Sequence, residues 1–187
     1  MYIKRLHANY LLTILFILIV FGFVLFKSTQ SNQRLKNALP FLTVGEKVPD
    51  LKLIDITTEN AEEISPDTSG TSIFIIFPRP CTICAKNIDF WNKMSSFFKN
   101  KIRFYAIVPG SMNDAFNFWK SGGEKSLKFP VYVPNDLESF LKEFRLRLKL
   151  SQTILIAGGE IKRILMGQLD GDSAKTFIRH TKELIQI

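Results

Sequence analysis

Apolar and polar positions alternate differently in the two parts of the chain. From Tyr10 to Phe26 the sequence reads YLLTILFILIVFGFVLF, seventeen residues without a charge, interrupted only by Thr13 and Gly22. A helix of that length covers about 26 Å at ~1.5 Å per residue, close to the ~30 Å hydrocarbon core of a bilayer. Tyr10 and Lys27 fall where interfacial anchors belong. A cleaved signal peptide has a shorter apolar stretch and ends in a small-x-small site. Here the run continues into Val24-Leu25-Phe26-Lys27, so the expectation is an uncleaved transmembrane helix over residues 10–26. Residues 1–9 then form a short cytoplasmic leader. Residues 27–43 are polar, rich in Ser, Gln and Asn around Pro40, and read as a stalk.

Beyond the stalk, residues 44–187 carry the periodicities of one α/β domain. Leu51, Leu53 and Ile56 suggest a strand or hairpin, followed by a polar loop from Thr57 to Gly70. Ser72 to Phe77, SIFIIF, is uncharged and β-branched or aromatic, as a strand buried on both faces should be. It stops at Pro78-Arg79-Pro80. Cys81, Cys84, Ile88, Trp91, Met94 or Ser95, and Phe98 then recur at three- and four-residue spacing, while Lys86, Asp89, Asn92, Lys93 and Lys99 fall outside that stripe. This is an amphipathic helix. The pattern continues with a strand at 102–108, a helix at 112–120, a strand at 129–133 and a helix at 137–146. Two strands at 153–157 and 161–166, joined through Gly158-Gly159, precede a last helix at 173–185. A central mixed sheet flanked by helices on both faces accounts for this order.

Charge and composition narrow the function. The net charge of +8 suggests nucleic acid until it is divided along the chain. Residues 1–36 contain five basic residues and no acid, leaving 20 basic and 17 acidic residues in the other 151. The basicity belongs mostly to the flanks of the apolar segment, and no nucleic-acid partner is expected. Two Cys and two His are too few for a four-ligand zinc site within one chain, and Ala85 after Cys84 excludes the CxxCH haem motif. No metal and no dissociable cofactor is expected. His180 reads as part of a solvated helix face. Trp91, Phe97, Phe98 and Trp119 read as core aromatics, and the stretch from Lys142 to Lys149 as packing residues alternating with exposed charges.

The cluster with chemistry is Cys81-Thr82-Ile83-Cys84, at the exit of a buried strand and the start of a helix. Free N–H groups and the positive end of the helix dipole favour a thiolate at the first cysteine. The i, i+3 spacing lets the second sulfur reach the first, so a mixed disulfide at Cys81 can be resolved by Cys84. A structural disulfide is the plainer alternative, but a bridge over so short a loop removes little unfolded-state entropy.

Several segments together resemble the TlpA/ResA-like thiol-disulfide oxidoreductases, membrane-anchored thioredoxin-fold proteins of the wider redoxin group. Gly45-Glu46-Lys47-Val48-Pro49-Asp50-Leu51 is similar to the group's entry motif G-x-x-A-P-D-F, Ile73 to Cys84 to its strand and CxxC, and Ile154 to Ile161 to its later strand, glycine turn and strand. The resemblance covers about residues 44–187. It implies a thioredoxin-like fold and catalytic Cys81 and Cys84. It also implies substrate contacts from Arg79, Pro80, Thr82, Ile83, Ser151 and Gln152. Pro80 stands where the group usually has Trp and Ile83 where many members have Pro. Ser151 occupies the position of the cis-proline, and Ile75 that of the buried acid of thioredoxins. Arg79 could also stabilise a thiolate at Cys81.

The expected function is therefore a membrane-tethered thiol-disulfide oxidoreductase. Its CxxC domain would face the periplasm or extracytoplasmic space from a bacterial cytoplasmic membrane. Expected partners are exported protein thiols or disulfides, a membrane redox partner, and the bilayer itself through residues 10–26. A noncatalytic thioredoxin-like binding module is the alternative, kept open by Ser151. A peroxiredoxin-like peroxidase fits less well, because Pro78, not Thr or Ser, stands three residues before Cys81.

Overall fold

The structure, a computed structural model, describes residues 21–22, 42–66, 70–77, 82–121, 126–144, 151–169 and 171–185, without the side chains of Thr82, Ile83 and Ser121. The chain divides into two units, Met1–Pro40 and Phe41–Ile187. In the first unit Phe21 and Gly22 are helical. The rest of the expected span at 10–26 lies outside the described residues. Among the described residues no helix is long and apolar enough to cross a membrane.

The second unit is built on a seven-stranded sheet. In chain order its strands are β1 (Leu51–Asp55), β2 (Ala61–Ile64), β3 (Thr71–Ile76), β4 (Arg103–Ile107), β5 (Val131–Pro134), β6 (Gln152–Ala157) and β7 (Glu160–Met166). They lie side by side as β2-β1-β5-β4-β3-β6-β7. β3, β4 and β5 are mutually parallel, and β1 and β6 run antiparallel to their neighbours β5 and β3. Four described helices are interleaved: α1 (Thr82–Phe97), α2 (Met112–Ser121), α3 (Leu137–Phe144) and α4 (Gly171–Leu184).

The uncharged run at β3 is explained by its position. It has strands on both edges and apolar layers on both faces, so Ile73, Ile75 and Phe77 enter one core while Phe74 and Ile76 enter the other. Ile88, Trp91 and Met94 of α1 and Phe177 of α4 belong to the first core. Phe140 and Phe144 of α3 belong to the second. Helices therefore cover both faces, as the pattern required.

Two motifs distant in sequence meet here. Gly45 N–H donates to Ile161 O at 2.8 Å, Val48 N–H to Gly159 O at 2.9 Å, and Ile161 N–H to Glu46 O at 2.9 Å. The entry segment is thereby fastened to the turn between β6 and β7. Gly158 and Gly159 take positive φ values of 58° and 72° in that turn, where other residues would be strained.

Four sequence expectations are corrected. The stretch from Thr57 to Gly70 is not a continuous loop, because Ala61–Ile64 pairs with β1 as an edge strand. Its solvent-facing Glu62 and Glu63 hid it from a hydrophobicity pattern. Asn92 is buried; its Nδ2 donates to Ser126 O at 3.0 Å and its Oδ1 accepts from Lys128 N at 2.9 Å, satisfying the loop before β5. Phe97 is not a core residue but 60% exposed. His180 is half-buried, and its Nδ1 meets Arg163 of β7 rather than solvent alone.

Candidate active site

The expected site lies at one end of the sheet. β3 and β6 pair with Ile76 opposite Gln152, so Phe77 and Ser151 lie one residue beyond that last pair. From Phe77 the chain runs through 78–81 into α1, whose first residue is Thr82. Arg79, Pro80 and Cys81 lie outside the described residues, as do the side chains of Thr82 and Ile83. Cys84, in the first turn of α1, is fully buried and disulfide-bonded. The chain has one other cysteine, Cys81.

Burial of Cys84 follows from the helix stripe, because Cys84, Ile88 and Trp91 all enter the core beneath the sheet. The indole of Trp91 stands edge-on to Phe77 with centroids 5.2 Å apart, and its Nε1–H donates to Thr153 Oγ1 at 3.2 Å. The residue after β3, the third turn of α1 and β6 are thus joined near the cysteine.

A second connection escaped the sequence reading. Gly167, just after β7, has a φ of 79°, and its carbonyl accepts from Asn87 Nδ2 at 2.9 Å and from Ser151 Oγ at 3.1 Å. Its own N–H donates to Ser151 O at 2.8 Å. Asn87 Oδ1 in turn accepts from Leu169 N at 3.1 Å. One partly buried carbonyl thus ties α1, the start of β6 and the exit of β7 together. The signal available in sequence was the placement of Asn87 three residues after Cys84, on the buried side of an amphipathic helix, where an unpartnered amide would be costly.

Ser151 and Gln152 are 2% and 3% exposed, and the Ser151 hydroxyl is directed inward to Gly167. No cis peptide bond occurs among the described residues. The bond leading into Ser151 begins at Leu150, outside them. Ile75, on the core-facing side of β3, is fully buried and brings no carboxylate beneath the helix. Among the described residues no group of three or more His, Cys, Asp or Glu is arranged to hold a metal ion.

The fold defined by this sheet order and helix placement is thioredoxin-like. Solved structures with the same fold include a thiol:disulfide interchange protein from a Bacteroides species. It aligns at a TM-score of 0.61 and 16% identity, over 78% of this chain and 92% of that one. The thioredoxin domain of a thiol-disulfide oxidoreductase from Bacteroides vulgatus aligns at a TM-score of 0.59 and 17% identity, over 75% of this chain and 98% of that one. A peroxiredoxin-like protein from Aquifex aeolicus aligns at 0.60 and 12% identity, over 78% and 89% of the two chains. No protein-family model and no curated protein matches the sequence.

Proposed function

We propose that this protein is a membrane-tethered thiol-disulfide oxidoreductase facing the extracytoplasmic space, with Cys81 as nucleophile and Cys84 as resolving thiol. The observation that carries the reading is the disulfide-bonded, fully buried Cys84 in the first turn of the helix that follows the central strand of a thioredoxin-like sheet. Solved proteins that share this fold include a thiol:disulfide interchange protein and a thiol-disulfide oxidoreductase, which supports the same reading.

Cys81 directly precedes the first helical residue, where unpaired N–H groups and the helix dipole favour a thiolate. In the reducing direction that thiolate attacks one sulfur of a substrate disulfide, forms a mixed disulfide and expels a substrate thiolate, which takes a proton from solvent. Deprotonated Cys84 then attacks Cys81 sulfur, releases the second substrate thiolate, and closes the CxxC disulfide. The substrate gains two electrons and two protons. Oxidation of a substrate dithiol is the same sequence reversed. The proposed substrates are exported protein thiols or disulfides, and a membrane redox partner restores the starting state.

A noncatalytic binding module is favoured by one specific feature, the inward-turned hydroxyl of buried Ser151. Trapping separates the two. Cys84→Ser expressed in the native cell should accumulate mixed disulfides that dithiothreitol dissolves, because attack by Cys81 survives and the escape step is lost. Cys81→Ser should yield none. Absence of adducts with Cys84→Ser, where a known oxidoreductase yields them, would favour the binding module.

A further inference from the structure

We propose that the outer surface of α1 and α4 docks on an anionic lipid bilayer, with Phe97 entering the interface and the surrounding lysines and arginine meeting lipid phosphates. Between the two helices runs a groove of about 360 Å³ lined by Phe90, Met94, Phe97, Phe98 and Ile178, with Lys93 and Lys182 at its margins. An adjoining depression shares Ile178 and Lys182 and adds Lys175, Arg179 and Glu183. Four cations therefore stand against one carboxylate around an apolar floor.

Phe97 is the feature that requires an explanation. It is 60% exposed, stands edge-on to buried Phe98 at 4.8 Å, and carries Lys182 Nζ over its ring at 4.9 Å. An exposed aromatic ring sharing its groove with Lys93 and Lys182, with Lys175 and Arg179 in the adjoining depression, fits an interfacial surface: the ring passes into the headgroup–acyl boundary while the cationic groups extend to phosphate. The positive charge selects an anionic leaflet.

The inference rests on the membrane tether of the proposed function. Residues 27–41 separate the apolar segment from the described domain. Fully extended at ~3.4 Å per residue they reach about 50 Å at most. Confinement to such a shell raises the effective concentration of the surface near the lipid, so a contact too weak to recruit a free domain is occupied in the tethered one.

The test uses the full chain carrying F97W, its signal taken as the difference from the same chain with Phe97, whose only tryptophans are Trp91 and Trp119. Each is mixed with phosphatidylcholine vesicles or with vesicles in which about a third of the lipid is phosphatidylglycerol. Each set contains brominated acyl chains as fluorescence quenchers. Flotation with neutral vesicles reports the tether, and quenching reports docking. The expected result is flotation with both vesicle types and quenching about two-fold greater with the anionic set, reduced to the neutral level by high salt and by the K175E/R179E/K182E combination. Flotation with equal quenching in both vesicle types would overturn docking while leaving the tether intact. Failure to float with neutral vesicles, combined with quenching on anionic ones, would remove the tether and support docking. A blue shift of F97W emission that grows with protein concentration in lipid-free detergent would assign the surface to a second copy instead and overturn the bilayer.

Discussion

Replacing Asn87 with alanine tests whether the shared carbonyl at Gly167 organises the site. The substitution removes the bond from Nδ2 to Gly167 O at 2.9 Å and the acceptor of Leu169 N at 3.1 Å, in a side chain only 2% exposed. Gly167 O keeps the Ser151 hydroxyl, so the first loss is an ordinary hydrogen bond of about 1 kcal/mol. Leu169 N–H is left without its partner, which costs about 1–3 kcal/mol. The total is about 3 kcal/mol, and at ~3 °C per kcal/mol for a domain of this size the melting temperature should fall by about 9 °C. Thermal unfolding of the oxidised protein followed by circular dichroism measures it. Ser151→Ala should cost about 1 kcal/mol alone. Combined with Asn87→Ala it should cost about 1 kcal/mol more than the sum, because the carbonyl then loses both side-chain donors. A loss below about 0.5 kcal/mol for Asn87→Ala, or strict additivity in the double variant, would refute the shared-carbonyl reasoning.

Cys84→Ser should trap dithiothreitol-sensitive partners and Cys81→Ser should not, as read on non-reducing gels. Ser151→Pro removes the hydroxyl bond to Gly167 but keeps the carbonyl that accepts Gly167 N–H, so the protein should still fold. Its rate with protein disulfides should change more than its rate with small dithiols; equal changes would show that this loop does not meet substrate. Tyr132, buried and donating to Glu62 at 3.2 Å, has its phenol pushed well above the ordinary 10.0 by desolvation first and the Glu62 charge second. Above pH 10 the unfolded phenol loses its proton while the folded one retains it, so this group's contribution declines as pH rises from about 10 toward the folded value. Denaturant titrations should show Tyr132→Phe losing less stability than wild type between pH 9 and 11, and identical slopes would refute the shift.

The order of the elements other than β2, the buried central strand, a helix carrying Cys84 in its first turn and the Gly-Gly turn were legible in the chain, because each is written in spacing over a few residues. β3 declared itself by six uncharged residues, and α1 by a stripe from Cys84 to Met94. β2 did not, since an edge strand with three of its four residues exposed, two of them Glu, leaves little hydrophobic signal. What only the tertiary structure decided are the meetings across long separations. Asn87 finds Gly167 eighty residues away, Trp91 finds Thr153, and the entry segment finds the turn before β7. A polar side chain on a helix gives no indication in sequence of which backbone group will satisfy it, because that partner is set by sheet register and helix docking together. Exposure of Phe97 is of the same kind: hydrophobicity suggested the core, and its neighbour Phe98 took the buried position instead.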